Sequence, residues 1–351
     1  MGIRVLAALL IVIGSLAEVS GQDPRFSQFY ASPWNLNPAL TGAFEGRWRV
    51  VINYRDQWSS VLSPVPFRTY SAAADMRFGA GVSDYFAFGA GAMHDEAGVM
   101  RFSQNKAHIG GAFLKQISGG ARRPTQILSA GAQLGLGQNS VDWGRLWFSR
   151  QFDPTLEIPD LNAPNGEPNA GGNSRAYMDV NAGLLWYALS QRNDGFWTMG
   201  IAWHHLNRPN VALLAAPLPE RLYLRWTMHT GGLIPVNPSL GLLPTALAMV
   251  QGPAREINVG VGIRYSNHDY RELALRTGAW LRLVNRLNQG IQTDALIAVV
   301  MLEWERWMLG LSYDMTTSSL ARVNNSRGAF ELSLSYYHPA ARRARVACPR
   351  F

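Results

Sequence analysis

Seven histidines, one cysteine and a scatter of serines and carboxylates are the residues of this 351-residue chain with chemistry to offer. His204 and His205 are adjacent, and neighbours in a strand point to opposite faces, so this pair is not spaced to hold one metal. His94, His108, His229, His268 and His338 lack the spacing of a ligand set. The sequence contains no Gly-x-Ser-x-Gly elbow. Ser333 and His338 share a terminal segment but differ in parity, so they do not form an aligned pair on one face. Glu303 and Glu305 flank a tight turn and read as solvated carboxylates. The glycines recur at strand period, where they lighten one face, and form no phosphate cradle. Cys348, the sole cysteine, excludes an intramolecular disulfide and reads as an inert thiol. These residues predict no enzyme, no metal site and no cofactor.

The segments around them alternate apolar with polar or small residues, the pattern of half-buried strands. In 257–265 the odd positions are Ile, Val, Val, Ile and Tyr, against Asn, Gly, Gly and Arg. In 307–315 the set Trp307, Leu309, Leu311, Tyr313 and Met315 opposes Gly310, Ser312 and Asp314. Strands are predicted over 47–57, 67–77, 84–93, 104–116, 125–137, 175–187, 196–205, 221–233, 241–250, 255–266, 271–284, 293–303, 305–315 and 329–338. The fold class is therefore all-β, a transmembrane antiparallel barrel of about fourteen strands, an even number as single-chain bacterial barrels have. Apart from the first residues, no apolar run approaches the length of a membrane helix. Charged residues make up only 16% of the chain, and Gly and aromatics are abundant, as suits strands with one face toward lipid. A soluble β-sandwich would carry more Lys and Glu on its polar faces.

The chain opens with Arg4, an apolar run from Val5 to Ala17 and small residues before Gln22, the layout of a secretory signal peptide over 1–21. The expected domains are this signal, an N-terminal plug or rim segment at 22–46, a barrel at 47–338 and a periplasmic tail at 339–351. With both termini periplasmic, the long connections 138–174, 206–220 and 316–328 face outward, whereas Gln251 to Ala254 is short for an outer loop. The formal charge of +8 comes from dispersed residues, so outer-membrane lipid or an acidic partner is expected and nucleic acid is not. Segment 22–46 has no period but carries Phe26, Phe29, Tyr30 and Trp34, too aromatic for a disordered leader. Asn37, Pro38 and Gly42 would shape a turn before the first strand. Asn53, Arg55 and Gln57 share one face of that strand by parity and would face the plug inside the lumen. Trp58 follows as an interfacial anchor.

Several of these stretches form a series. Phe26-Ser27-Gln28-Phe29-Tyr30 and Leu36-Asn37-Pro38-Ala39-Leu40-Thr41-Gly42 are followed by Asn53-Tyr54-Arg55 and Gln57-Trp58. Ser149-Arg150-Gln151-Phe152-Asp153, Trp203-His204-His205-Leu206-Asn207 and Met228-His229-Thr230-Gly231 come next. Gly310-Leu311-Ser312-Tyr313-Asp314, Phe330-Glu331-Leu332-Ser333-Leu334-Ser335-Tyr336 and Cys348-Pro349-Arg350-Phe351 end the series. In this order the chain resembles the PorP/SprF family. The resemblance implies an integral outer-membrane barrel of the type IX secretion and gliding machinery of Bacteroidota. It also implies a role in secretion or surface anchoring of a partner adhesin with a C-terminal sorting domain, with other secretion components as further partners. Leu36, Asn37, Pro38, Gly42, Asn53, Tyr54, Arg55, Gln57, Trp58, Tyr313 and Asp314 are the family-motif positions. Trp143, Trp147, Phe148, Leu213 and Leu214, apolar residues of two long loops, are the candidate partner contacts. The alternative is a passive channel for small solutes or fatty acids, with the N-terminal segment as its hatch.

Overall fold

The computed structural model describes residues 23–339 except 60, 63–66, 82, 121–122, 154–155, 161, 165, 167–172, 191–194, 214–218, 267–272 and 287–289. The expected signal peptide, Leu214, His268, Cys348 and the C-terminal tail beyond Pro339 lie outside the described residues.

The strands are β1 (Trp48–Gln57), β2 (Phe67–Ala80), β3 (Asp84–Ala97), β4 (Phe102–Gly120), β5 (Arg123–Ser140), β6 (Phe152–Asp153), β7 (Ile158–Pro159) and β8 (Tyr177–Leu189). They continue as β9 (Phe196–His204), β10 (Arg225–Pro235), β11 (Leu240–Gln251), β12 (Ala254–Ser266), β13 (Leu273–Asn285), β14 (Ile291–Trp304), β15 (Trp307–Thr316) and β16 (Arg327–His338). All but β6 and β7 join one closed, antiparallel, 14-strand barrel, sealed where Trp48 faces His338 and Gln57 faces Ala329. The predicted barrel and the order of its strands are observed. Segments 241–250 and 293–303, nearly apolar throughout and so without clear alternation, are strands too, within β11 and β14.

Period-two alternation sets which face each residue takes. Along β15, Leu309, Leu311 and Tyr313 stand exposed on the outer surface while Ser312 and Asp314 are buried inside. Phe88, Ile109, Leu136, Met228 and Val261 continue the exposed apolar surface around the wall. Such a belt would drive association in water, and it is the surface that lipid covers. Aromatic rings gather near both rims. Trp48 and Trp307 lie 5.1 and 4.7 Å from Tyr336 at one end, and Trp203 packs on Trp226 at the other.

The two mouths differ. Connections 58–66, 141–176, 205–224 and 317–326 leave one end, which also has the short 252–253 turn. The opposite end has 81–83, 236–239 and 305–306. Three boundaries depart from expectation. The tight turn is Glu305–Arg306, because Trp304 still pairs with Trp307 and Glu305 takes φ 50°. The strand expected from 221 begins at Arg225. The residues before it pair with the loop instead, through an Asn210–Arg221 bridge that seats Leu222 with Val211 and Tyr177. Inside the longest connection, β6 and β7 form a two-residue ribbon that local alternation is too short to reveal.

Residues 23–46 run the length of the lumen. Asp23 meets Lys106, Arg225 and Gln251, all close to the long-loop ends of their strands. Asn37 lies at mid-barrel against Leu184 and Ile201. Phe44 packs on Tyr337 at the short-turn end, where β1 starts. The described ends of the chain therefore sit at opposite mouths, whereas the sequence reading put both on one side. An even strand count does return β1 and β16 to one end, but the segment leading into β1 passes back through the barrel.

Candidate functional site

The lumen is a set of charge clusters through which the wall grips this plug. Near the long-loop mouth, the Asp23 carboxylate accepts from Lys106 Nζ at 2.5 Å, His205 Nε2 at 2.6 Å and Arg225 Nη1 at 2.8 Å. His205 Nδ1 is 2.8 Å from Asp179. Both ring nitrogens face carboxylates, which favours the doubly protonated imidazolium. Burial opposes that charge, but Asp23 and Asp179 outweigh it and hold the His205 pKa above its ordinary value. Burial likewise opposes charge on Asp23, yet His205, Lys106 and Arg225 hold its carboxyl well below the usual range.

A second cluster centres on Ser27 and Gln28. Their backbone N–H groups donate to the two Glu331 oxygens at 2.6 and 2.9 Å. Ser27 Oγ donates to Asp314 at 2.7 Å and accepts from Arg55 at the same distance and from Arg282. Arg55 also pairs with Glu331, and with Asp314 at 3.1 Å. The Gln28 amide donates to Ser312 and accepts from Ser333. Toward the short-turn end, Arg49 pairs with Asp75 through Nε and Nη2 at 2.9 and 2.8 Å, and Asp75 accepts from Gly42 N–H. The Arg49 and Arg77 guanidiniums lie over the Phe44 ring.

The family-motif residues divide between these clusters and the outer wall. Leu36 is buried in the plug core. Asn37 Oδ1 caps the short helix Pro38–Leu40 by accepting from Ala39 N–H at 2.9 Å, and its Nδ2 reaches two wall carbonyls. This close approach needs Gly183, where a Cβ would strike the Asn37 side chain. Gly42 has φ +75°, and a Cβ there would run into that of Ala87. On β1, Asn53 is buried and Arg55 binds Ser27, while Gln57 accepts from Arg55 at 3.1 Å. Tyr54 packs on Tyr70 outside the barrel, and Trp58, at φ 61°, packs on Phe67. Tyr313 faces outward, whereas its neighbour Asp314 is in the lumen. In the longest loop Trp143 and Phe148 are half-buried and Trp147 is 51% exposed, stacked on Phe152. Leu213 is half-buried in the next long loop.

Two expectations are corrected. His204 and His205 both point inward and are buried, because β9 ends at His204 and His205 takes φ 61°, where alternation no longer applies. Glu303 is buried, not solvated: Arg264 binds it at 2.9 Å and Arg276 pairs with it from the adjoining strand. Glu305 is exposed in the turn. Lys106, Arg225 and Arg282 were missed as plug-binding residues, and Asp179 as the carboxylate that holds His205. Their signal was available, since each is a charge at an inward position of a strand. Asp23 carried none.

The Asp23–His205 cluster predicts how plug seating depends on pH. The raised His205 pKa adds stability that is fully present below the unfolded value, about 6.5, and fades as pH rises through the folded one. The lowered Asp23 pKa adds stability that is present above about 4 and is lost as pH falls through its depressed value. Between these limits the stability advantage of the native chain over His205→Gln is expected to be largest, and it should shrink in alkaline buffer. Thermal unfolding of both proteins across pH checks this; an advantage that grows with pH would refute it.

A closed barrel with an apolar outer belt and a lumen filled by its own N-terminal segment defines a plugged integral outer-membrane protein. The family described as Type IX secretion system membrane protein PorP/SprF matches residues 18–336. The chain belongs to this family and is a membrane component of type IX secretion. No curated protein matches its sequence. Among solved structures it is similar to a Pseudomonas aeruginosa FadL homologue, at 12% identity and TM-score 0.48, covering 86% of this chain and 92% of that one. It is similar to CdiB from Escherichia coli at 9% identity and TM-score 0.46, covering 82% and 63%. CdiB from Acinetobacter baumannii is similar at 7% identity and TM-score 0.45 over 83% of this chain, which spans 60% of that protein's length.

Proposed function

We propose that this barrel is a surface anchor for a secreted adhesin carrying a C-terminal sorting domain, and not the pore through which that adhesin travels. The observation that carries the reading is the pairing of a filled lumen with exposed apolar side chains on the longest loop. Trp147, Phe152, Leu156 and Ile158 are all exposed around the β6–β7 ribbon. Apolar side chains left exposed together on one loop suit a protein partner. In this reading the long-loop mouth faces outward, residues 339–351 are periplasmic, and Trp143, Trp147, Phe148, Leu213 and Leu214 contribute to docking. The family role in type IX secretion supplies the class of partner. The protein acts without a cofactor and catalyses no reaction. The rival channel reading is opposed by the plug, whose buried ion pairs hold it against the wall.

Replacing residues 154–172 with a short Gly-Ser linker is expected to release the adhesin from the cell surface while the barrel stays folded. Surface labelling of the adhesin, with the heat-dependent gel shift of the barrel as a folding control, reads both. Undiminished adhesin display on the folded variant would overturn the proposal.

A further inference from the structure

The outer wall over β8 to β12 carries a groove of about 510 Å³ that neither the plug nor the long loops use. The registers lay its residues out in rows across the strands. One outward-facing row runs Ile257–Ala248–Met228–Ile201–Leu184, from β12 to β8. In the next row away from the long-loop mouth, Ala246 and Thr230 lie between Val259 and Met199. Ala246, Ala248 and Thr230 are short, while Met228, Met199 and Leu184 stand exposed around them, so the apolar wall is furrowed at this point.

The row on the long-loop side of the groove differs in kind. It reads Trp203–Trp226–Val250–Arg255, and Asn285 of β13 adjoins Arg255. The two indoles meet edge to face at 5.6 Å, as suits rings at a membrane–water boundary. Arg255 N–H donates to Asn285 Oδ1 at 2.8 Å, and Asn285 Nδ2 donates to the Pro253 carbonyl at 3.0 Å, which fixes this corner of the rim. Arg286 follows Asn285. Arg255 and Arg286 are both exposed, and neither pairs with a carboxylate among the described residues. Two open guanidiniums therefore stand at the head of an apolar furrow, at the level where lipid headgroups begin. Each presents a planar fork of donors that matches phosphate oxygens.

We infer that this face binds one lipid with a net-anionic phosphate headgroup, the phosphate on Arg255 and Arg286 and an acyl chain along the groove. An apolar cavity of about 150 Å³ takes a six-carbon ring, so roughly three times that space holds the larger part of an acyl chain. A purely apolar groove would accept any lipid, and the two charges at its head select an anionic one. The site lies on the outside of the barrel, and its occupancy does not depend on the adhesin or on the long loops.

The test uses the full mature barrel in nonionic detergent and native mass spectrometry. Dimyristoylphosphatidylglycerol is the probe, and dimyristoylphosphatidylcholine, with the same chains and no net charge, is the comparison. A single saturable phosphatidylglycerol adduct, tighter than that of phosphatidylcholine, is expected. An arginine beside an anionic headgroup is worth a factor of roughly five, so Arg255→Gln with Arg286→Gln should weaken the phosphatidylglycerol adduct roughly 25-fold. Arg47→Gln with Arg306→Gln removes the same charge from exposed positions at the opposite mouth and should leave it unchanged. Ala248→Trp fills the groove and should weaken both lipids. Inorganic phosphate, which has no chain, should not displace the adduct. Equal affinity for the two lipids, equal losses in the two paired variants, or displacement by phosphate alone would each overturn the inference, as would unaltered binding in folded Ala248→Trp. If Ala248→Trp does not fold, the comparison of the two arginine pairs decides.

Discussion

Deletion of residues 23–42 is expected to turn a closed barrel into a conducting one. These residues occupy the lumen from the Asp23 cluster to Gly42, and the wall around them is a complete ring of fourteen strands. A ring of this size is wider than the eight-strand barrels whose interior side chains fill the bore. Its residual width is therefore filled by the plug. Planar-bilayer conductance should rise by at least about an order of magnitude over the intact protein, on the contrast between filled barrels and aqueous ones. Lys106 and Arg225, no longer neutralised by Asp23, should make the current favour anions. A deletion variant that inserts as a folded barrel yet stays silent would show that the wall side chains alone close the bore. Equal conductance in the intact protein would instead restore the channel reading.

The second large effect is expected from Glu331→Ala. Glu331 is 1% exposed, and it accepts both backbone donors of Ser27 and Gln28 while pairing with Arg55. Removing one partner of a buried ion pair leaves the other charge uncompensated, at a cost of about 3–5 kcal/mol. The two orphaned N–H groups add to it. Asp314 still faces Arg55 at 3.1 Å, which places the expected loss at the lower end of that range. Urea unfolding should show the loss, and protease cleavage within 23–46 should accelerate in the folded barrel. Glu331→Gln, which keeps an acceptor but not the charge, should fall between the two. Native-like stability and protection in the alanine variant would mean that the plug is held elsewhere.

The barrel was legible in the sequence because each strand alternates between lipid and lumen, and that alternation survives without knowledge of any partner strand. The inward position of Arg55, Asp314 and Glu331 followed from the same parity. What local pattern could not supply was partnership across strands. Glu303 looked solvated because its neighbours in sequence form a turn, while Arg264 and Arg276 reach it from β12 and β13. His205 escaped because a single left-handed residue ends the alternation at that point. The course of 23–46 was hidden for a different reason. It lacks a period, and its direction is fixed by contacts with wall residues as far as 304 positions away, from Asp75 to Glu331.

The Ser27–Gln28 corner has a consequence for how the molecule is put together. Every other junction in the wall joins strands that a connection already tethers, but β1 and β16 are the first and last strands of the barrel. The corner is gripped by Arg55 from β1, by Glu331 and Ser333 from β16, and by Ser312 and Asp314 from β15. It is a clasp over the one seam that chain connectivity leaves open. A completed ring would have to draw charged Arg25 and Asp23 lengthwise past its own buried ions to reach this arrangement. An open sheet need only curl around a segment already lying along it. Plug seating then accompanies barrel closure instead of following it: the amino-terminal segment is enclosed as the last hydrogen-bonded seam is fastened, and the strand pairing that fastens it belongs to β1 and β16 themselves.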